Sequence, residues 1–280
     1  MTPNPSNLRK FDSNNDEHRA LAARLPFGYV AALPFLDFCA YVLTESNELR
    51  LVWPNDDNPR EFESIFLPAA KKNWANALIA YASSADIVRL AAARIGLKKK
   101  ESFGAEYYYR TADFIRPQRV LAKKIKQFQK KFPRARILHA YPSEPVLAFH
   151  DRWQEQLKDA RSLPGMKTDR AFFQHCLENP NRYDIRRVYV ELEGKLIGLA
   201  WGTTHSSGNW IGLHLKADHE YRGLAHLLLH ERAKLFADHS MFTLGVDCNR
   251  PGLAAFKREL GPAYTVDFYQ IATADPVAQN

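Results

Sequence analysis

Arg187-Val-Tyr-Val-Glu-Leu192, Glu193-Gly194, Leu196-Ile-Gly-Leu-Ala-Trp-Gly-Thr-Thr204, Ser206-Ser207-Gly208-Asn209 and Trp210-Ile-Gly-Leu-His-Leu-Lys216 follow one another directly. Three runs rich in β-branched, aromatic and aliphatic residues, separated by two short turn-forming segments, predict an antiparallel meander with tight hairpins. Upstream, Val146 to Ala160 and Thr168 to Leu177 carry helical spacing, parted by the breaker Leu163-Pro164-Gly165. Downstream, a helix is expected from Leu224 to Ala237 and a strand from Phe242 to Val246. A helix from Pro251 to Leu260 has proline near its first position and Gly261-Pro262 at its stop, and a strand, Tyr264 to Ile271, follows. The second half therefore reads helix, helix, three meander strands, helix, strand, helix, strand.

The first half gives a looser version of that order. Strands are expected at Ala40 to Leu43 and Leu49 to Val52, a helix at Ala69 to Ser83, an apolar run at Ile87 to Ala93 and a strand at Glu106 to Arg110. A helix at Arg116 to Phe132 and a strand at Arg136 to Tyr141 close it, and Pro142-Ser-Glu-Pro145 reads as the seam. Two copies of one α/β unit, 1–142 and 143–280, account for 280 residues better than one large domain.

Composition narrows the function. With 46% hydrophobic and 25% charged residues the chain is neither disordered nor collagen-like. Cys39, Cys176 and Cys248 are odd in number and lack metal-ligand spacing, against a disulfide framework or a zinc module and for a reducing, cytoplasmic compartment. The polar start, Met1-Thr-Pro-Asn-Pro-Ser-Asn7, lacks the apolar core of a secretory signal. Leu25 to Val42 approaches the length of a bilayer span, but Pro26, Pro34 and Asp37 interrupt it, so a buried opening element is the expectation.

A net charge of +8 points to anionic partners. Its source is concentrated: from Arg110 to Arg136 ten cations face one acid, Asp113. Helical spacing buries Leu121, Ile125, Phe128 and Phe132 and turns Lys123, Lys124, Lys126, Lys130 and Lys131 outward, with Arg119 at the start. Lys98-Lys-Lys100 lies nearby in sequence. Such a surface suits a phosphate backbone held by counterion release; a solvated face and an anionic lipid surface are the other readings.

On the helix Pro251 to Leu260, Leu253, Phe256 and Leu260 share one face, and Lys257 shares it with them. A buried ammonium costs free energy unless it is paired or its stem snorkels outward. Lys257 is therefore either a desolvated cation aimed at developing negative charge or a snorkelling residue at the stripe's edge. Lys216, Asp218, Asp247 and Asn249 fall near the C-terminal ends of expected strands, where α/β sites gather. His226 and His230 are one turn apart with no third ligand in view, so no metal site is expected. No Gly-x-Ser-x-Gly elbow is present.

Three short stretches carry a resemblance: Glu106-Tyr-Tyr-Tyr-Arg-Thr-Ala-Asp113; His214-Leu-Lys-Ala-Asp218 with Tyr221-Arg-Gly223; and Asn249-Arg-Pro-Gly-Leu253 through Phe256-Lys-Arg-Glu-Leu-Gly261. The second-half order resembles the GNAT acyltransferase fold. The pair resembles the soluble catalytic domain of the phosphatidylglycerol lysyltransferases (multiple peptide resistance family) and the Fem aminoacyltransferases that build peptidoglycan bridges. The resemblance implies an α/β fold of tandem GNAT-like domains, with the active site in the second. It implies an aminoacyltransferase that moves an amino acid from aminoacyl-tRNA to an amine or hydroxyl of a small-molecule or lipid acceptor, without a cofactor. Lys257 matches the Fem lysine held to stabilise the transition state. Phe256 joins the substrate contacts, as do Arg222 and Gly223, which occupy the place where coenzyme A-using relatives cradle a pyrophosphate. Here Leu224-Ala-His-Leu227 replaces the later glycines of that loop, which counts against coenzyme A. The lysyltransferase pattern expects an acid at Leu215 and an arginine at Ala254; both are absent, against phosphatidylglycerol as the acceptor. An acyl-CoA-dependent N-acyltransferase and a non-catalytic RNA- or partner-binding chain are the rivals.

Overall fold

A computed structural model describes residues 8–25, 27–43, 48–51, 63–64, 78–117, 119–157, 166–205 and 207–276. In chain order these form β1 (Leu8–Lys10), α1 (Asp16–Ala22), α2 (Leu33–Cys39), β2 (Ala40–Leu43), β3 (Glu48–Leu51), β4 (Glu63–Ser64), β5 (Leu78–Ser83), α3 (Ser84–Ala92) and β6 (Ile95–Arg110). Then come α4 (Thr111–Ile115), α5 (Arg119–Lys131), β7 (Arg136–Leu138), α6 (Ser143–Gln156), α7 (Met166–Glu178), β8 (Arg186–Leu192), β9 (Lys195–Thr204) and β10 (Trp210–Ala217). Last are α8 (Leu224–Leu235), β11 (Met241–Val246), α9 (Pro251–Glu259) and β12 (Tyr264–Pro276). The chain divides into two compact units. One holds Met1–Tyr107, Val246–Lys257 and Tyr264–Asn280; the other holds Tyr108–Gly245 and Arg258–Ala263.

The first unit orders its strands β1-β2-β3-β4-β5-β12-β6, with β1–β2, β2–β3, β3–β4 and β5–β12 antiparallel and β4–β5 parallel. The apolar stretch around Leu33 folds as α2, with Pro34 in its first turn and Pro34, Phe35, Leu36, Asp37 and Cys39 buried. Asp37 is tolerable there because its carboxylate accepts from the Ser13 N–H (2.7 Å) and hydroxyl (2.6 Å). Among the described residues no helix is long and apolar enough to cross a membrane. One expected helix fails. Of Ala69 to Ser83, residues 69–77 lie outside the described part and Leu78–Ser83 is strand β5, paired with β12. The run after it is the real helix, α3, opened by a capping box between Ser83 and Asp86. Strand β6 is also far longer than expected, since its first residues are exposed and polar and give no alternation.

In the second unit the order is β11-β10-β9-β8-β7, all neighbours antiparallel except parallel β10–β11. The expected meander is present. Its first hairpin turns on Glu193 (φ +52°) and Gly194 (φ +81°), the two left-handed residues that a twisted two-residue loop demands. Helix α8 is buried on nearly every side, through Leu224, Leu227, Leu228, Leu229, Arg232 and Ala233. It lies close over β9 because Gly198 and Gly202 offer no Cβ: one there would stand 2.9 Å from Leu228 and from the Phe236 ring. Trp210 stacks between Phe236 (4.5 Å) and Phe242 (4.2 Å) and donates its indole N–H to Thr111 Oγ1 (3.0 Å). Fully burying such a ring contributes on the order of 3 kcal/mol. Arg232, wholly buried, donates to the Trp201 and His214 carbonyls (3.0 and 3.1 Å) and fills the space left by Gly212. It thereby satisfies carbonyls beside the irregular register of β10 between Gly212 and His214.

Candidate functional site

Lys257 lies in the first unit, on α9. It is 3% exposed and, with Ala254, forms the buried face of the helix; Leu253, Phe256 and Leu260 flank it, half-buried. The snorkelling alternative therefore does not hold: the ammonium goes inward. Its Nζ stands 5.8 Å from the centre of the Tyr107 ring. Burial pulls the Lys257 pKa down to about 8, while Glu106, Cys248 and Asp247 pull it back up.

The turn that launches α9 is latched to β6. Asp247 is buried, and its carboxylate accepts the Tyr107 hydroxyl at 2.8 Å, the Ala105 N–H at 3.2 Å and the Asn249 N–H at 3.0 Å. Asn249 donates its side-chain amide to the Ser102 carbonyl (2.6 Å) and accepts the Ser102 hydroxyl (3.0 Å). Cys248 and Asn249 both take left-handed backbone, φ +51° and +55°. Gly104, at φ +116°, is obligatory here, because a Cβ would sit 2.3 Å from Asp247 Oδ1. Asp247 and Asn249 thus fix the start of the helix that carries Lys257. Glu106, fully buried beside this latch, accepts the Tyr29 N–H (2.8 Å).

Lys216 and Asp218 belong to the second unit. Lys216, as buried as Lys257, bonds Asp169 Oδ2 at 2.7 Å and stands 3.9 Å over the Trp153 ring. His150 Nε2 meets the same oxygen at 3.1 Å. Burial alone would raise the Asp169 pKa, but Lys216 and His150 hold it well below the usual carboxylate range. His214 next to them is brought down to about 3, chiefly by burial, so it is neutral at physiological pH. Asp218 accepts from Gln156 Nε2 (3.2 Å) and the Glu220 N–H (3.1 Å), shaping the turn into α8. Sequence reading missed His150, Trp153 and Asp169, which only the fold brings to Lys216.

Gly223 caps the start of α8 at φ +95°. A Cβ on it would stand 2.6 Å from the Lys124 carbonyl oxygen, so the backbone of α5 rests on this helix N-terminus. Tyr221 packs its ring on Phe132 at 5.1 Å in the same contact, and Arg222 is exposed. Along α5, Leu121, Ile125 and Phe128 are buried; Arg119, Lys123, Lys126, Lys130 and Lys131 are exposed, and Lys124 is half-buried. The amphipathic pattern expected from the sequence is observed except at Phe132, which lies past the end of the helix and is half-buried, and at Lys124, which is not fully outward. Among the described residues no group of three His, Cys, Asp or Glu side chains is placed to hold a metal ion.

No protein-family model and no curated protein matches the sequence. Solved structures do match the fold. L-PGS from Bacillus licheniformis aligns over 95% of this chain and 92% of its own, with a TM-score of 0.56 and 11% identity. A conserved protein of unknown function from Bacteroides thetaiotaomicron aligns over 70% of this chain and 69% of its own, at TM-score 0.62 and 16% identity. The C-terminal domain of a protein assigned as a lysylphosphatidylglycerol synthetase from Agrobacterium fabrum covers 71% and 68%, at 0.51 and 14%. The chain therefore has an α/β, mixed-sheet fold similar to that of these three proteins.

Proposed function

We propose that this chain is an aminoacyl-tRNA-dependent aminoacyltransferase that acts on an amine or hydroxyl of a small-molecule or lipid acceptor. The observation that carries the reading is the inward-facing ammonium of Lys257. An acceptor heteroatom attacks the ester carbonyl of the aminoacyl-tRNA, and the carbonyl oxygen becomes an oxyanion. Lys257, desolvated and held by the latch, offers that oxyanion a cation; one such donor is worth roughly 3 kcal/mol. Collapse of the tetrahedral intermediate breaks the ester C–O bond. The proton from the acceptor then goes to the departing ribose oxygen, so no cofactor enters the balance.

The exposed cations of α5 support tRNA as donor, because they form a concentrated surface rather than a scattered one. A donor of that kind implies a cytoplasmic setting. The solved structures named L-PGS and lysylphosphatidylglycerol synthetase support acyl transfer on this fold, and fold likeness alone does not specify a substrate. The acyl-CoA alternative would seat a pyrophosphate on the N-terminus of α8, and the α5 backbone lies against that end. In the first unit we assign Phe256, Asp247 and Asn249 to the surroundings of Lys257, the last two through the latch; in the second, Lys216, Asp218, Arg222 and Gly223 remain candidate substrate contacts.

The test is incubation with a pool of radiolabelled aminoacyl-tRNAs and cell extract. The expected result is a label that leaves the RNA and becomes resistant to RNase, lost with Lys257→Ala. Stabilisation by acetyl-CoA but not by tRNA would favour the acyl-CoA reading. Unchanged RNA binding by Lys257→Ala with no transfer to any acceptor would favour the non-catalytic one.

A further inference from the structure

The latch and the cation meet in a single side chain. Tyr107, buried on β6, presents the face of its ring to Lys257 Nζ at 5.8 Å and donates its hydroxyl to Asp247 Oδ2 at 2.8 Å. A tyrosine side chain turns about two torsions, and a hydroxyl held at its far end fixes both. Asp247 is itself anchored. Its other oxygen accepts the Ala105 and Asn249 N–H groups and stands where Gly104 leaves room. The ring therefore swings away from Lys257 only by breaking a buried hydrogen bond to a carboxylate, which is costly in the interior. Backbone turn, carboxylate, phenol, aromatic face and ammonium form one continuous series from Gly104 to Lys257.

We propose that Tyr107 is a positioning residue for Lys257: its hydroxyl, tied to Asp247, sets the ring, and the ring face holds the ammonium in place and in its charged form. The negative face of an aromatic ring attracts a cation and has no such pull on a neutral amine. Glu106 from β6, and Asp247 and Cys248 from the turn before α9, also face Lys257 electrostatically. The carboxylates support its charge without fixing where it sits, because a point charge draws from every direction and a ring face from one. The two jobs of Tyr107 are separable. Phenylalanine keeps the face and loses the tether, whereas leucine loses both. The catalytic consequence rests on the acyl-transfer reading; the hold on the ammonium does not.

The experiment is an NMR titration of the full-length chain carrying isotope-labelled lysine, run beside a rate–pH profile of transfer from aminoacyl-tRNA. The Lys257 side-chain signal is assigned by its loss in Lys257→Arg. Tyr107→Phe should titrate at Lys257 close to the wild type. Tyr107→Leu should titrate about half a pH unit lower, because without the ring face the cation gives up its proton sooner. In transfer, Tyr107→Leu should lower kcat roughly tenfold with KM for the tRNA unchanged, and its alkaline fall should move down by the same half unit. Tyr107→Phe should give an intermediate kcat with the fall where the wild type has it. Circular dichroism checks the fold, and Tyr107→Met replaces Tyr107→Leu should the latter fail to fold. The proposal is overturned if Tyr107→Leu titrates where the wild type does, or if the Phe and Leu variants shift equally. It is also overturned if Tyr107→Leu transfers at the wild-type kcat. Midpoints that separate as expected uphold the hold on the ammonium, and a wild type that transfers no label from any aminoacyl-tRNA then overturns the acyl-transfer reading instead.

Discussion

Lys257 is the residue on which function and stability pull in opposite directions. Its ammonium is desolvated, with a pKa brought down to about 8 by burial. The oxyanion role needs the charged form, which is present below that pH and lost above it. Turnover that depends on Lys257 should therefore fall as pH rises through about 8, and Lys257→Arg, whose cation persists, should flatten that fall in a rate–pH profile. Gly104 separates conformational strain from steric conflict. Gly104→Ala adds a left-handed penalty to a clash with Asp247 and should cost about 2–4 kcal/mol in urea unfolding. Gly194→Ala, also at positive φ but with nothing within 4 Å of its Cβ, should cost about 1–2 kcal/mol. At this scale the sequence disclosed Lys257 through its spacing from Leu253 and Leu260. It placed Tyr107 and Glu106 in an expected strand and could not disclose that the fold brings them to Lys257.

Among the elements, the meander was legible because Glu193-Gly194 and Ser207-Gly208-Asn209 punctuate it, and turn chemistry is local. Helix α8 was legible by its run of leucines. What escaped was β5, a short apolar strand whose partner β12 lies nearly two hundred residues away, and the outer part of β6, whose exposed lysines give no period of two. The cluster of Lys216, Asp169 and His150 was hidden for the same reason: it joins β10, α7 and α6, and no local pattern encodes that meeting. Helix α5 has two faces with separable tests. Replacing Lys126, Lys130 and Lys131 by alanine should weaken tRNA binding without altering stability. The slope of log affinity against log salt should fall by roughly 2–3 in fluorescence anisotropy. Gly223→Ala, which pushes on the Lys124 carbonyl, should instead lower thermal stability with little change in that slope.

For the whole molecule, similarity to solved structures at 11–16% identity extends to backbone architecture, and the side chains must carry the function. The charge excess is segregated onto surfaces, while the interiors of both units hold a few costly cations: Lys257 in one, Lys216 and Arg232 in the other. Lys216 is repaid by Asp169 and Arg232 by two carbonyls. Lys257 stands over an aromatic ring with carboxylates in electrostatic reach, which offset part of its desolvation. Single-turnover transfer from charged tRNA, compared between wild type and Lys257→Met at matched thermal stability, tests its proposed oxyanion role most directly. We expect Lys257→Met to be as stable as the wild type, or more stable by up to about 3 kcal/mol, and to transfer about 100- to 1000-fold more slowly with tRNA affinity retained. A Lys257→Met protein that transfers at the wild-type rate would contradict the account.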